Sequence, residues 1–113
     1  HLAGDDLLRV FAGRLRLIAR KTDIVARYGG EEFMILMPDT KLSMAIHMAE
    51  RLRKDIEVFP FKKRETQPAG RVTVSIGCAQ FQELTAGNVD CLIHTADQCL
   101  YRAKSGGRNK IWY

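Results

Sequence analysis

The chain has 113 residues, of which 46% are hydrophobic and 27% are charged, a composition typical of one soluble globular domain. No apolar stretch approaches the roughly 18 residues that span a bilayer, and the three cysteines form no CxxC pair, which argues against a disulfide framework or a zinc site. The net charge of +5 favours a polyanionic partner such as a nucleotide or a nucleic acid.

Apolar periodicity and β-branched runs predict seven elements in the order α-β-β-α-β-α-β. The predicted helices cover 5–20, 41–57 and 89–105, and the strands cover 24–28, 32–37, 72–81 and 111–113. Gly4 or Asp5 is expected to cap the first helix and Asp39-Thr40 the second. The polar segment at 60–70 predicts an exposed loop or a short irregular hairpin. This order predicts an α/β (α+β) sandwich in which helices flank a mainly antiparallel sheet.

The pentapeptide Gly29-Gly30-Glu31-Glu32-Phe33 lies between the first two strands. A Gly-Gly pair there predicts a tight hairpin, because glycine tolerates the positive φ angles of primed turns. A hairpin turn does not need two carboxylates directly after it, whereas a Mg²⁺-nucleotide site does. Bare backbone lets a phosphate or base approach, and a hard cation prefers carboxylate oxygens.

Three further blocks accompany this turn: Gly4-Asp5, residues 72–77 and residues 96–109. With these four blocks in order, the chain resembles the GGDEF domain, the diguanylate cyclase module, in its Gly-Gly-Glu-Glu-Phe variant. The resemblance covers residues 1–113 and implies a nucleotidyl cyclase-like fold. It also implies condensation of two GTP molecules into cyclic di-GMP and pyrophosphate, Mg²⁺ or Mn²⁺ as the cofactor, and a homodimer in which two bound GTP molecules face each other.

The resemblance also implies roles for seven residues of a substrate site. Glu31 and Glu32 are the expected catalytic carboxylates, with Glu31 a metal ligand; Gly29 and Gly30 admit the nucleotide; Asp5 pairs with guanine; Lys104 and Arg108 neutralise the β- and γ-phosphates. Four of them have an ordinary alternative: Glu31 as a solvated turn carboxylate, Asp5 as a helix cap, and Lys104 and Arg108 as cations that complement a helix dipole.

A second site is implied by the tetrapeptide that begins at Arg20 and ends at Asp23. An RxxD sequence usually forms a surface salt bridge, but its distance from the turn matches the product-inhibition site of the family. Arg20 offers a planar fork to guanine or phosphate, Asp23 accepts from guanine, and Arg51 matches a further arginine of that site. Cyclic di-GMP is therefore an expected inhibitor.

The N-terminal part of the family's domain, including its first strand and a metal-binding aspartate, has no counterpart in these residues. We therefore expect the printed chain to be a portion of the domain with little turnover of its own. We expect the parent protein to be active, to carry a sensory or receiver domain ahead of this module, and to work in the cytoplasm or on the cytoplasmic side of a membrane-anchored protein.

Two other functions compete with the cyclase. One is a non-catalytic receptor for cyclic di-GMP or GTP, which the two turn carboxylates argue against. The other is a nucleic-acid-binding α/β module, which the charge favours. Such sheets present several aromatic side chains to stack bases, whereas only Tyr28 and Phe33 lie near each other here, so no nucleic-acid partner is expected.

Overall fold

The computed structural model describes residues 2–61, 72–81 and 89–113, so the predicted loop at 60–70 lies outside it except for Pro60 and Phe61. The described elements are α1 (Leu2–Ile18), β1 (Ile24–Gly29), β2 (Glu32–Leu36), α2 (Leu42–Val58), β3 (Ile76–Gly77), α3 (Val89–Ser105) and β4 (Ile111–Trp112). Their order is the predicted one, and the helices pack against small sheets in an α/β fold. Within these ranges no helix combines the length and apolar character of a membrane span.

The described strands pair in two separate ways. β1 and β2 form the predicted antiparallel hairpin, in which Ile24 faces Leu36 and Val25 faces Ile35. β3 and β4 pair in parallel, a feature that the sequence did not predict. The predicted ten-residue strand at 72–81 was too long, since among the described residues only Ile76 and Gly77 form a strand, paired with Ile111 and Trp112.

Both predicted helix caps were wrong. Asp5 lies inside the first turn of α1, which begins at Leu2. The N-cap of α2 is Lys41, whose side chain makes no capping hydrogen bond. The Thr40 hydroxyl donates instead to the Pro38 carbonyl at 2.9 Å. A residue distant in sequence replaces the predicted cap, since the Leu42 N–H donates to Gln80 Oε1 at 3.2 Å.

The core forms where α1 packs on α2. Its buried members are Leu15, Leu52, Ile56 and Phe61. Arg14 of α1 closes one side of this core: its guanidinium donates to both oxygens of Asp55, at 2.9 and 2.6 Å, and lies 4.4 Å from the centroid of the Phe59 ring.

The hairpin is attached to α1 by an aromatic contact. The rings of Phe11 and Phe33 lie 5.3 Å apart between centroids. Phe33 directly follows the two glutamates of the turn, so this contact fixes the base of the hairpin against the helix that carries Asp5. The packing of α1 therefore determines where the turn projects.

A second packing contact joins β3 and α3. A Cβ atom at Gly77 would fall 2.3 Å from both the Ala96 carbonyl oxygen and the Leu100 nitrogen. The backbones of β3 and α3 therefore approach each other closely at Gly77. Because these are backbone atoms, neither can move aside without displacing α3.

Candidate nucleotide-binding site

The turn between β1 and β2 is short and held by a side chain. Gly29 pairs with Glu32, so Gly30 and Glu31 form the loop, and a register irregularity at Tyr28 adds an extra residue to β1. The Arg27 guanidinium donates to the Gly30 carbonyl from Nε at 3.0 Å and from Nη2 at 2.6 Å. Arg27 therefore fixes the backbone of the loop.

Nothing in the described fold requires glycine at either of the two glycine positions of the turn. Neither takes a positive φ angle, so the expectation of a primed turn was wrong. The chain reverses direction here with a bulged register and with the Arg27 contact to the loop. A Cβ atom at Gly29 or Gly30 would meet no heavy atom within 4 Å. The backbone here is bare and faces open space, as the approach of a ligand requires.

Of the two carboxylates, Glu32 lies beside the end of α3. Glu31 is exposed and Glu32 is half-buried. Lys104 Nζ lies 3.9 Å from Glu32 Oε2, and both side chains keep substantial exposure, 39% and 44%. A pair this open contributes little to stability, so both groups remain accessible to a ligand. The structure thus brings together residues that the sequence separates widely.

Arg108 lies just beyond the end of α3. Gly107, Arg108 and Asn109 all have positive φ angles, of 115°, 63° and 48°. The Arg108 N–H donates to the Ala103 carbonyl at 3.0 Å, which closes the helix end. Its side chain is exposed and has no hydrogen-bond or ion-pair partner among the described residues.

Asp5 lies exposed in the first turn of α1. Its carboxylate makes no hydrogen bond within the part of the chain that the structure describes. Because the helix begins before it, the carboxylate does not serve as an N-cap. The conflict between capping and base recognition that the sequence posed therefore does not arise.

The carboxylates of the turn fit a partial metal site. Across the described ranges, no group of three or more His, Cys, Asp and Glu side chains is placed to hold a metal ion. Mg²⁺, however, is commonly held by one or two carboxylates together with phosphates and water. Glu31 and Glu32 offer that donor type, so they fit the protein's share of a Mg²⁺-nucleotide complex.

The predicted second site corresponds to a cavity of about 110 Å³ between the end of α1, the end of β2 and α2. Its lining residues include two of the three predicted ones, Arg20 and Arg51, together with the imidazole of His47. Met37, Met44 and Met48 supply an apolar wall. The structure therefore brings both arginines to one cavity.

Asp23 has a different position from its neighbours. Its side chain is fully buried, and its oxygens accept from Arg20 Nε at 3.3 Å, Arg20 Nη2 at 3.1 Å and the Arg20 N–H at 2.8 Å. Burial raises the pKa of this carboxyl, but the hydrogen bonds and charge of Arg20 outweigh it and hold the pKa below its usual value. Arg20 also donates to the Thr40 hydroxyl. In this structure Asp23 orients Arg20.

Two contributors to these sites were not predicted from the sequence. Arg27 was given no role, and Thr40 was expected only to cap α2. A basic side chain three residues before the Gly30 carbonyl was the available signal for Arg27. No local signal pointed to Thr40, because its contact with Arg20 joins two loops.

Comparisons with known proteins identify the family and the fold. The family described as "Diguanylate cyclase, GGDEF domain" matches residues 1–110. The diguanylate cyclase DgcP of Pseudomonas aeruginosa is 42% identical over 111 residues, which cover 98% of this chain and 16% of DgcP. The response regulator PleD of Caulobacter vibrioides is 42% identical over 114 residues, covering 98% of this chain and 24% of PleD. The chain thus spans less than a quarter of the length of each of these relatives.

Solved structures show the same fold. The active GGEEF domain of a Vibrio cholerae diguanylate cyclase superposes with a TM-score of 0.85 at 26% identity, over 99% of this chain and 69% of that one. The GGDEF domain of DgcB from Caulobacter crescentus, solved in complex with c-di-GMP, gives 0.85 at 33% identity, over 99% and 65%. From its matched residues, its relatives and its fold, this chain belongs to the GGDEF domain family of diguanylate cyclases.

Proposed function

We propose that this module binds GTP at the β1–β2 turn and takes part in condensing two GTP molecules into cyclic di-GMP. The observation that carries the proposal is the 3.9 Å approach of Lys104 Nζ to Glu32 Oε2. It joins the predicted phosphate-binding end of α3 to the predicted metal-binding turn. Arg108, exposed one turn beyond Lys104, adds a second cation for the triphosphate.

In this proposal, the remaining residues bind the other parts of the nucleotide. The open backbone of Gly29 and Gly30 accepts the nucleotide at close range. The carboxylate of Asp5 accepts from the N1–H and N2–H groups of guanine, which adenine lacks. GTP should therefore be preferred over ATP.

Mg²⁺ or Mn²⁺ is the proposed cofactor, held by Glu31 with Glu32 beside it. When bound, such an ion polarises a phosphoryl oxygen and activates a hydroxyl nucleophile. The residues of this chain hold the triphosphate with Lys104 and Arg108 and present the carboxylates on a loop that Arg27 fixes. Fixed donors lower the cost of organising the reactants.

The proposal includes a homodimer, because each module holds one GTP and the two must face each other. It also includes a sensory or receiver domain in the parent protein, which the greater length of the relatives favours. We place the module in the cytoplasm, or on the cytoplasmic side of a membrane-anchored parent, where GTP is available.

The cavity that Arg20 and Arg51 line is the proposed site for inhibition by cyclic di-GMP. Two guanidinium groups in one cavity suit phosphate and guanine edges. Asp23 would act there by holding the Arg20 fork, and its own contact with guanine stays a prediction. The DgcB domain, similar in fold, was solved with c-di-GMP bound.

The direct test measures GTP binding by calorimetry with and without Mg²⁺, and cyclic di-GMP by chromatography. We expect Mg²⁺-dependent GTP binding, weaker ATP binding and little turnover by the 113-residue chain, since its described residues hold only part of a metal site. Glu31→Gln should weaken Mg²⁺-dependent binding at least tenfold, by loss of a charged ligand. Asp6→Asn, at a carboxylate 75% exposed on α1, is the matched control.

The outcomes separate the functions. Equal binding by wild type and Glu31→Gln would remove the metal role of the turn. Tight binding of cyclic di-GMP without Mg²⁺-dependent GTP binding would favour a receptor. Rapid cyclic di-GMP formation by this chain would support the cyclase but contradict the expectation of slow turnover.

A further inference from the structure

The segment after α3 has an unusual backbone. Three consecutive residues have positive φ angles, and two of them, Arg108 and Asn109, are not glycine. Asparagine tolerates this region better than most residues, whereas arginine gains nothing from it. Such a conformation persists when surrounding contacts impose it. The side chain of Arg108, the middle residue of the three, is exposed.

The contacts that impose it come from α2. The Asn109 side chain accepts from Arg53 Nη1 at 3.0 Å and donates to Glu57 Oε2 at 2.6 Å. It uses both functions of its amide, each toward a different charged partner. Asn109 therefore ties the strained backbone beside Arg108 to the surface of α2.

Arg53 is itself fixed. Its guanidinium donates to Glu50 at distances down to 2.6 Å and lies 3.7 Å from Glu57. The Arg53 side chain is only 15% exposed. The hydrogen bond from Arg53 holds the pKa of Glu50 below its usual value, against the opposing effect of burial. Four side chains thus form one network that joins α2 to the end of α3.

The backbone on either side of Asn109 is also fixed. The Arg108 N–H bonds to Ala103 at 3.0 Å, and the Lys110 carbonyl accepts from the Ile76 N–H at 3.0 Å, where β3 and β4 pair. Between these two backbone hydrogen bonds, the Asn109 side chain holds the segment against α2. The exposed Arg108 side chain is the part left for a ligand.

We infer that Asn109 and Arg53 are positioning residues that hold the left-handed turn after α3, so that Arg108 meets the triphosphate of a bound nucleotide. The inference rests on the proposed function, in which Arg108 binds phosphate. It adds that the affinity of this site depends on a hydrogen-bond network anchored on α2, away from the carboxylate turn.

The test uses Asn109→Gly in the 113-residue chain. Glycine adopts positive φ without strain, so this variant removes the side-chain contacts while leaving the backbone free to keep its shape. With GTP and Mg²⁺ in calorimetry, Arg108→Ala should weaken binding about tenfold or more, by loss of a charge-assisted hydrogen bond. Asn109→Gly should weaken it about fivefold, through misplacement of the same group. Arg16→Ala, at an exposed cation on α1, controls for the loss of one charge.

The double variant distinguishes positioning from general loosening. If Asn109 acts through Arg108, Asn109→Gly has no further effect on GTP affinity in the Arg108→Ala background. Arg53→Lys, which keeps the charge but loses the planar fork, should reproduce the effect of Asn109→Gly. Inorganic triphosphate should show the same order as GTP, because the contact is with phosphate.

Each outcome decides one point. An Asn109→Gly chain that binds GTP as wild type does, while Arg108→Ala is weakened, overturns the positioning role and leaves the proposed function standing. Equal weakening by Asn109→Gly in both backgrounds shows a merely structural role and overturns the inference. Wild-type affinity in Arg108→Ala instead removes the phosphate role of Arg108, on which the proposed function depends.

Discussion

Two glycine-containing regions of this molecule differ in what surrounds them. Gly77 in β3 has the backbone of α3 against it, so a Cβ would lie 2.3 Å from Ala96 and Leu100 atoms. Gly29 and Gly30 in the turn have nothing within 4 Å and ordinary φ angles. The fold explains the first glycine and not the other two. A residue that the fold does not explain is a candidate for contact with something outside the chain.

Charged residues divide in the same way. Asp23 and Arg20 pair with each other, the Asp23 side chain being buried while the Arg20 side chain is 46% exposed. Glu31 and Arg108 are exposed, and no described residue pairs with their side chains. The turn and the end of α3 therefore hold unused charge of both signs, which suits a metal-bound nucleotide. Arg20, by contrast, is already held in place by contacts within the chain.

The largest expected effect is that of Gly77→Ala. The added methyl group overlaps backbone atoms of α3, so we expect a loss of about 3 kcal/mol in the free energy of unfolding and a fall of roughly 15 °C in Tm. Thermal unfolding followed by circular dichroism measures it. Gly13→Ala in α1, where a Cβ meets nothing within 4 Å, is the control and should gain about 0.8 kcal/mol. A stable Gly77→Ala chain would remove the contrast between the two regions.

Gly30→Ala should have the opposite profile. Its Cβ occupies open space, so Tm should stay within about 2 °C of wild type. GTP affinity in the presence of Mg²⁺ should fall about tenfold, because the methyl group stands where the nucleotide approaches. Calorimetry measures the affinity on the same sample. Unchanged GTP affinity would mean that the open space over the turn has no part in binding.

Asp23→Asn tests the ion pair between Asp23 and Arg20. The folded-state pKa of Asp23 lies below its usual value of 3.8, so its carboxylate stabilises the fold above pH 4 and loses that contribution as the pH falls through the folded value. At pH 7 the variant should lose about 1 kcal/mol of unfolding free energy. Below pH 3 the difference from wild type should shrink. A difference that is constant with pH would show that the ionised carboxylate is not the stabilising form.

The last prediction concerns Cys78, the residue after Gly77. Burial, together with the nearby Cys99, raises the pKa of its thiol to about 11. At pH 8 in the folded chain, iodoacetamide should alkylate the exposed Cys91 at least about tenfold faster than Cys78, because the thiolate is the reactive form. Peptide mass spectrometry gives both rates. Fast alkylation of Cys78 would indicate that the contact between β3 and α3 opens readily.

Local pattern was enough for the elements that depend on local interactions. The three helices, the hairpin and the final strand follow from apolar spacing and β-branched runs, and all lie within a few residues of their predicted bounds. Predictions that depended on one side chain were less successful. Thr40 bonds to Pro38 and Arg20 rather than capping α2, since contacts between loops outweighed the local preference.

The sequence by itself determined the identity of the turn and the chemistry of its side chains, because glycine, glutamate and basic residues keep their character in any fold. It also determined the family, through four blocks in order. Only the tertiary structure decided which of these groups meet. The approach of Lys104 to Glu32, the pairing of Arg14 with Asp55 and the tie from Asn109 to α2 all join segments that packing brings together. Distances of this kind depend on how helices pack on a common core, and no local pattern encodes them.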